Sequence, residues 1–319
     1  MRRILRAIGA TAGFTVLALL CYWHADYRPA FRVRAGRLCG VDSVLISADS
    51  QSRKFWLRLR GSSGFVADAG LLVPAKASVR QPAAILLGGK ATGKHAIDYV
   101  LDNDDLFVLA LDYAYDPRPS YTLGTILADA PSARRALLDM VPASRLAVDY
   151  LLQRGDVDST RIIIVGYSFG APFVPVIFES DPRPAVAVMV YGGGGLYSMI
   201  RHNVRRYEGP VLSELVGLLG AVLLRPLEPL RYAHRISPRP LLMINGLGDE
   251  QIPRENTEMM YRMAREPKKL VFLPSQHVRP ENVTLTRMIL ATLRGELHSM
   301  GIVEGRGMEK GTSGQIRWH

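Results

Sequence analysis

Residues 161–178, RIIIVGYSFGAPFVPVIF, decide how this chain folds. The run from Arg161 to Val165 is apolar and β-branched, as buried strands are, and the residues from Ala171 onward predict a proline-bearing helix. Between them, Gly166 to Gly170 fits the pattern Gly-x-Ser-x-Gly. A strand that turns sharply into a helix holds the central serine in a strained, exposed position, and glycines on either side let neighbouring backbone approach. The stretch therefore predicts an exposed Ser168 at the end of a buried strand.

Outward from this stretch, short apolar runs alternate with segments of helical spacing. The runs that predict buried strands are 83–87, 106–111, 162–165, 185–191, 241–244 and 269–273. The segments that predict helices are 131–153, 254–265 and 281–298. Strands that are apolar throughout and alternate with helices indicate a mostly parallel sheet with helices on both faces. The predicted fold class is therefore α/β, preceded by a β-rich region from Phe31 to Val73.

The length of 319 residues allows one large core, so we expect one domain over residues 24–300. The connection 192–239 is far longer than a usual loop and is predicted to be an insertion. Its apolar part, Val211 to Leu230, is interpreted as a lid over the site or a membrane-facing flap, with an ordinary packing helix as the alternative. Residues 301–319 are polar and glycine-rich and are predicted to form a flexible tail.

The net charge of +11 comes mostly from arginine. Such a charge fits nucleic acid, anionic lipid or an acidic substrate, but it also arises from codon bias alone. No compact Lys/Arg block with interleaved aromatic residues occurs in the sequence, so no nucleic-acid partner is expected. The two cysteines, Cys21 and Cys39, exclude a disulfide-rich scaffold, and no Cys-x-x-Cys or His/Cys cluster indicates zinc. We expect neither a metal nor a cofactor.

The amino terminus has the pattern of a membrane-targeting segment. Three arginines within the first six residues precede the uncharged stretch Ala7 to Trp23, which reaches the short end of the length that spans a bilayer. Tyr22 and Trp23 stand where interfacial aromatic residues would lie. No good cleavage site comes after them, so residues 1–23 are predicted to be a retained anchor, with a cleaved signal peptide as the alternative. The body would then lie outside the cytoplasm, periplasmic or extracellular.

A reactive serine needs a histidine to take its proton and a carboxylate to orient that histidine. Asp249 follows the predicted strand Leu241–Ile244, and His277 follows the predicted strand Lys269–Leu273. Open α/β sheets gather their sites at the carboxyl ends of the strands, so these residues should meet Ser168 there. The chain order of nucleophile, acid and histidine is also that of one known arrangement of this triad.

Three other residues compete for these roles. Glu250 is the alternative acid, directly beside Asp249. His234 and His298 are the alternative bases, but one lies in the insertion and the other in a predicted helix, so neither fits a strand end. The sequence therefore favours Ser168, Asp249 and His277 together.

An oxyanion that forms during attack by a serine needs two backbone N–H groups. The residue after the nucleophile, Phe169, supplies the first by its position. The second should come from the glycine-rich loop 88–93 that follows the strand ending at Leu87. Lys90 is the preferred donor and Gly89 the alternative, while a simple glycine turn is the non-functional interpretation.

With these residues assembled, the chain resembles the α/β-hydrolase family, most closely its dienelactone-hydrolase-like and prolyl-oligopeptidase-like serine esterases. The resemblance covers about residues 65–298 and depends on the motif 166–170, the acid loop 245–253 and the histidine loop 275–277. One departure is Gly88, where the family usually has histidine.

The resemblance implies an α/β-hydrolase fold with a lid-like insertion before the acid-bearing strand. It also implies a serine hydrolase that cleaves a small-molecule carboxylic ester through an acyl-enzyme, without a cofactor. The segment Leu109–Pro119 is similar to acyl-thioester hydrolases of the same fold. An acyl-thioester hydrolase, an acyltransferase and a non-catalytic scaffold that binds a ligand are the alternatives.

Overall fold

The structure is a computed structural model. It describes residues 14, 17, 18, 20–75, 80–89, 92–101, 103, 105–115 and 123–304. Lys90, most of the predicted anchor 1–23 and residues 305–319 of the predicted tail lie outside this part of the chain. Within the described residues, no helix combines the length and the apolar character that a membrane span requires. The membrane anchor therefore stays a prediction.

A nine-stranded sheet runs through the molecule in the order β1-β2-β3-β5-β4-β6-β7-β8-β9. The strands are β1 Leu38–Ala48, β2 Ser52–Gly61, β3 Val66–Pro74, β4 Gln81–Leu87, β5 Phe107–Leu111, β6 Val157–Tyr167, β7 Val186–Val190, β8 Leu241–Gly246 and β9 Lys268–Leu273. The first three strands and the contact of β3 with β5 are antiparallel, and the pairings from β5 to β9 are parallel. The prediction of a mostly parallel sheet preceded by β-rich chain is confirmed.

Helices connect the strands and cover the sheet. The α-helices are α1 Arg28–Ala35, α2 Leu123–Gln153, α3 Val174–Ser180, α4 Leu196–Arg205, α5 Pro210–Leu223, α6 Arg254–Met263 and α7 Val283–Ser299. Short 3₁₀ helices lie at Gly93–Tyr99, Ser168–Phe173, Arg225–Leu227, Pro229–Arg231 and Ala233–Arg235.

Two boundaries differ from the sequence prediction. The region from Phe31 was predicted to be β-rich, but it begins with α1, which buries Phe31 and Ala35 against the body. The helix predicted to start at Pro131 already begins at Leu123 and continues through both Pro131 and Pro142. Proline usually marks a helix start because it lacks the N–H donor, so the pattern placed the boundary too late.

The sheet separates two cores, because successive side chains of a strand point to opposite faces. On β4, Ala83, Ile85 and Leu87 pack into the core that contains α2 and α3. Ala84 and Leu86 point into the other core, which contains α7 and the 3₁₀ helix 93–99. Both faces are thus covered, as the unbroken apolar strands require.

The insertion between β7 and β8 contains α4, α5 and the three short 3₁₀ helices from Arg225 to Arg235. Glycines bring α4 and α5 close together, since a Cβ at Gly217 or Gly220 would lie 2.9 Å from Arg201 Cβ or 2.7 Å from Ile200 Cδ1. The carboxylate of Glu228 accepts hydrogen bonds from the N–H groups of Gly195 and Leu196, at 2.9 and 2.8 Å, and so fixes the start of α4.

Candidate active site

Ser168 lies at a sharp turn between β6 and the 3₁₀ helix Ser168–Phe173, with a φ of 50°. Few residues other than glycine adopt such an angle, so the backbone here is strained. A Cβ at Gly166 would lie 2.5 Å from the carbonyl oxygen of Gly170, and a Cβ at Gly170 would lie 2.0 Å from that of Leu87. Both glycines of the motif are therefore required by the close approach of backbone to backbone.

Three predicted side chains form one hydrogen-bonded line. Ser168 Oγ lies 2.7 Å from His277 Nε2. On the other side of the ring, His277 Nδ1 lies 2.8 Å from Oδ1 and 2.9 Å from Oδ2 of Asp249. With Nδ1–H donating to the carboxylate, Nε2 is free to accept the serine hydroxyl proton. The structure thus brings together the serine, the histidine and the acid that the sequence singled out.

The imidazole of His277 is held from two further directions. Asp249 is itself fixed, because its Oδ1 accepts the backbone N–H groups of Gln251 at 2.8 Å and Ile252 at 3.0 Å. The ring of Tyr191 packs edge-on against the imidazole at a centroid distance of 5.5 Å, and its hydroxyl bonds to Ser275. The side chains of His277 and Asp249 are both only 3% exposed, so water competes little for their contact.

Glu250, the alternative acid, has a different place in the site. Its Oε2 accepts the backbone N–H of His277 at 3.1 Å, and Arg279 lies beside its other oxygen. Burial favours a higher pKa for Glu250, but these hydrogen bonds outweigh it and hold the pKa below its usual value. The charged Glu250 therefore supports the histidine loop and does not orient the imidazole.

The alternative bases lie in other surroundings. His234 sits in the 3₁₀ helix Ala233–Arg235 beside Arg235, where burial and that guanidinium lower its pKa. His298 lies near the end of α7, where its Nδ1 contacts the carbonyl oxygen of Val303 at 3.2 Å. His277 is the histidine that contacts Ser168.

The loop after β4 borders the site and is shaped by a partly buried tyrosine. Tyr113 donates its hydroxyl proton to the carbonyl oxygen of Gly88 at 2.6 Å, and burial raises the pKa of this phenol. A Cβ at Gly88 would lie 2.3 Å from Thr92 Oγ1 and 2.9 Å from Ala96 Cβ, which explains a glycine where the resemblance suggests histidine. Sequence reasoning missed Tyr113, because a lone tyrosine after a strand carries no spacing signal.

The structure describes one of the two predicted oxyanion donors, Phe169. Phe169 lies in the first turn of the 3₁₀ helix that starts at Ser168, where backbone N–H groups lack partners within the helix. Lys90 lies outside the described residues, so its role stays a prediction. Gly89, its alternative, borders the same cavity as Ser168.

Comparison with solved structures reveals the type of fold. The chain superposes on acetyl xylan esterase 1 from Thermoanaerobacterium sp. JW/SL YS485 with a TM-score of 0.61 and 17% identity, over 83% of this chain and 92% of that one. An acetyl xylan esterase from Paenibacillus sp. R4 gives a TM-score of 0.59 and 16% identity, over 85% and 93% of the two chains. The protein has the α/β-hydrolase fold. The resemblance noted in the sequence is thereby confirmed at the level of the fold.

Sequence comparison gives shorter matches. The uncharacterized protein YfhR from Escherichia coli (strain K12) is 29% identical over 134 residues, which are 41% of this chain and 43% of that protein. The alpha/beta hydrolase domain-containing protein WAV2 from Arabidopsis thaliana is 23% identical over 129 residues, 39% of this chain and 42% of that protein. The chain thus aligns with less than half the length of these curated relatives. No family model matches it.

Ser168 and His277 open onto a cavity of about 280 Å³. Its described lining includes no residue between 192 and 239, all of which the structure describes. The covering role predicted for the insertion therefore stays a prediction. Across the described part of the chain, no group of three His, Cys, Asp or Glu residues is placed to hold a metal ion.

We expect Gly170→Ala to destabilise the protein by about 3 kcal/mol, because the new methyl group meets the carbonyl of Leu87 and the strained turn must shift. Gly295→Ala is the matched control. Gly295 lies inside α7 with no atom near its Cβ position, so alanine there should add about 0.5–1 kcal/mol of stability. Urea denaturation of both variants measures the difference, and equal effects would contradict the packing described for the turn.

Proposed function

We propose that the protein is a serine hydrolase that cleaves carboxylic esters through an acyl-enzyme. The observation that supports this most directly is the line of hydrogen bonds from Ser168 through His277 to Asp249, which lies at the carboxyl edge of the parallel sheet. A serine hydroxyl becomes a useful nucleophile when a base accepts its proton during attack, and this geometry provides that base. Acetyl xylan esterases are among the solved structures of the same fold, and their reaction belongs to the class proposed here.

In the first half of the reaction, Ser168 Oγ attacks the ester carbonyl carbon while His277 Nε2 takes the hydroxyl proton. Asp249 accepts the Nδ1–H of the imidazole and stabilises the imidazolium that forms. The carbonyl oxygen becomes an oxyanion, which the N–H of Phe169 and a second N–H from Lys90 or Gly89 stabilise. His277 then returns the proton to the departing alkoxide, and the alcohol leaves a serine ester behind.

In the second half, a water molecule replaces the alcohol. His277 removes a proton from this water as its oxygen attacks the acyl carbon, and the same donors hold the second oxyanion. The proton then passes from His277 to Ser168 Oγ as the carboxylic acid departs. An acyl-thioester hydrolase and an acyltransferase share the acyl-enzyme, and they differ in the leaving group or in the acceptor of the acyl group.

A non-catalytic scaffold is separated from all of these by one measurement. A fluorophosphonate probe forms a covalent bond with an activated serine whatever the natural substrate is. The native protein should be labelled at Ser168, whereas a scaffold that only binds a ligand should stay unlabelled.

We expect Ser168→Ala to lower kcat for p-nitrophenyl acetate by at least about 10³-fold, because the nucleophile and the acyl intermediate are both lost. The side chain lies at the surface of the cavity and alanine is smaller, so the thermal unfolding midpoint should stay near that of the native protein. Substantial activity in a folded Ser168→Ala variant would refute the mechanism.

Asp249→Asn should reduce kcat by roughly 10⁴-fold, since the amide cannot stabilise the imidazolium and favours the wrong tautomer of His277. Glu250→Gln is the control in the adjacent residue. Its amide oxygen can still accept the backbone N–H of His277, so the loss should be less than about tenfold. Both are measured with p-nitrophenyl acetate, and a larger loss at Glu250 would reverse the two roles.

We also propose that residues 1–23 hold the protein on a membrane with its body outside the cytoplasm. Leu17 and Leu20, near the end of this segment, are 59% and 52% exposed in the structure. Tyr22 joins the segment to the insertion, because its hydroxyl donates to the carbonyl oxygen of Val222 at 2.7 Å. The α5 helix that Tyr22 contacts also exposes an apolar stripe of Val211, Leu215, Leu218 and Leu219. Two apolar surfaces therefore meet at one place on the molecule, as a lipid-facing side requires.

The full-length chain should remain with the membrane fraction after a high-salt wash, and amino-terminal sequencing should start at Met1. The double variant Leu17→Arg/Leu20→Arg should move the protein to the soluble fraction, because arginine in an apolar span costs roughly 3 kcal/mol per residue. Val44→Arg/Leu45→Arg on the exposed edge strand β1 is the control and should leave the distribution unchanged. A soluble native chain that starts near residue 25 would instead identify a cleaved signal peptide.

A further inference from the structure

The cavity beside Ser168 reaches inward between the sheet and α7. Side chains of β4 and β5 form one wall, and the face of α7 with Ile289, Leu290 and Leu293 forms the other. Ser168 and His277 belong to the same lining, so the cavity is continuous with the reacting atoms. A concave apolar space next to a reactive group is the usual seat of part of a substrate.

Among the lining residues on β4 and β5, Ala84 and Val108 lie farthest from the carboxyl ends of these strands and are register partners, so they define the inner end of the cavity along the strands. Ala84 lies three residues before Leu87, the last residue of β4, and Gly88 comes next at the mouth beside Ser168. At about 3.3 Å per residue, the cavity extends roughly 10 Å along the strand from the mouth. It is therefore deep enough for a chain of atoms and not only for an acetyl group.

The walls are suited to hydrocarbon. Among the described lining residues none is Asp, Glu, Lys or Arg, so a charged substrate group would lose its hydration without gaining an ion pair. The aliphatic side chains of Leu86, Val165 and Leu293 instead offer apolar contact. An aliphatic chain placed there leaves water and carries no polar group of its own that would need a partner.

We propose that this cavity binds the acyl chain of the ester, and that the preferred substrates carry an unbranched aliphatic acyl group of roughly six to ten carbons. The length is set by the volume, since a cavity of about 280 Å³ holds roughly that number of groups of methylene size at about 30 Å³ each. The inference rests on the proposed esterase function, because the chain must be joined to the carbonyl that Ser168 attacks. It adds the class of acyl group, which the hydrogen-bonded line alone does not specify.

A series of p-nitrophenyl esters from acetate to palmitate tests the inference on the full-length protein. We expect kcat/KM to rise about fourfold for each added methylene that enters the cavity, and to fall once the chain exceeds it. A parallel series of alkyl acetates, in which the alcohol lengthens and the acyl group stays short, should give no such optimum. An optimum in the alkyl acetates would place the alcohol in the cavity and overturn the proposal.

Two variants should move the optimum in opposite directions. Ala84→Leu fills the inner end and should shorten the best chain by about two to four carbons, since the leucine side chain adds roughly three methylene-sized groups. Leu293→Ala enlarges the cavity and should lengthen the best chain by a similar amount. The turnover of acetate by each variant serves as the reference for the chain-length series of that same variant.

Leu297→Ala is the matched control for Leu293→Ala. Leu297 lies one turn further along α7 and is also buried, but it does not belong to the described lining of the cavity. Both changes remove the same atoms from the same helix, so their effects on stability should be comparable, whereas the optimum should move only in Leu293→Ala. An equal shift in both variants would mean that loosening of α7 is the cause, and it would refute the acyl-binding role.

The experiments distinguish a failure of the acyl-binding proposal from a failure of the proposed esterase function. If acetate is hydrolysed and the fluorophosphonate labels Ser168 but the chain-length profile is flat, the acyl-binding role is wrong and the esterase stands. If neither acetate turnover nor labelling occurs in the folded protein, the proposed function is wrong and the acyl-binding role falls with it. If either cavity variant fails to fold, as thermal unfolding reports, the other still carries the test, and an unmoved optimum in it refutes the proposal.

Discussion

The close approach of Gly170 to the carbonyl oxygen of Leu87 is the constraint on which the rest of the site depends. It packs the start of the helix after β6 against the end of β4, and Ser168 at this turn has a φ of 50°. The serine thus stands clear of the sheet, beside the loop that begins at Gly88. A rigid turn of this kind keeps a nucleophile in position without help from a ligand, and the cost in backbone strain is offset by the buried strands on both sides.

Much of the architecture could be predicted because each buried strand of a parallel sheet is an uninterrupted apolar run. The strand ends then gave the positions of Asp249 and His277, since open α/β sheets gather their sites at the carboxyl ends of the strands. The sequence favoured Asp249 over the adjacent Glu250, but the physical basis of that choice is not visible in the sequence. It depends on the loop conformation, in which one side chain reaches the imidazole and the other the backbone of His277.

Other features of the structure cannot be predicted from a pattern in one stretch of sequence. Tyr113 contacts Gly88 and Tyr191 contacts His277, and a lone tyrosine has no period that would reveal its partner. The cavity is formed by β4, β5 and α7, which are far apart along the chain, so its depth is a property of packing and not of any motif. The early start of α2 was also missed, because tertiary packing allows a helix to continue through Pro131.

The contact between α4 and the acid loop has a consequence for how proteins with this insertion can diverge. His202 Nε2 lies 3.0 Å from the carbonyl oxygen of Glu250, and Asn203 donates to that of Gln251 at 2.8 Å. Through these contacts, the insertion supports the loop that carries Asp249. An exchange of α5 for another helix keeps the contacts that α4 makes with the acid loop, whereas an exchange of the whole insertion removes them. Segment swaps between related chains should accordingly keep α4 together with Glu228, which fixes its start, and replace only α5.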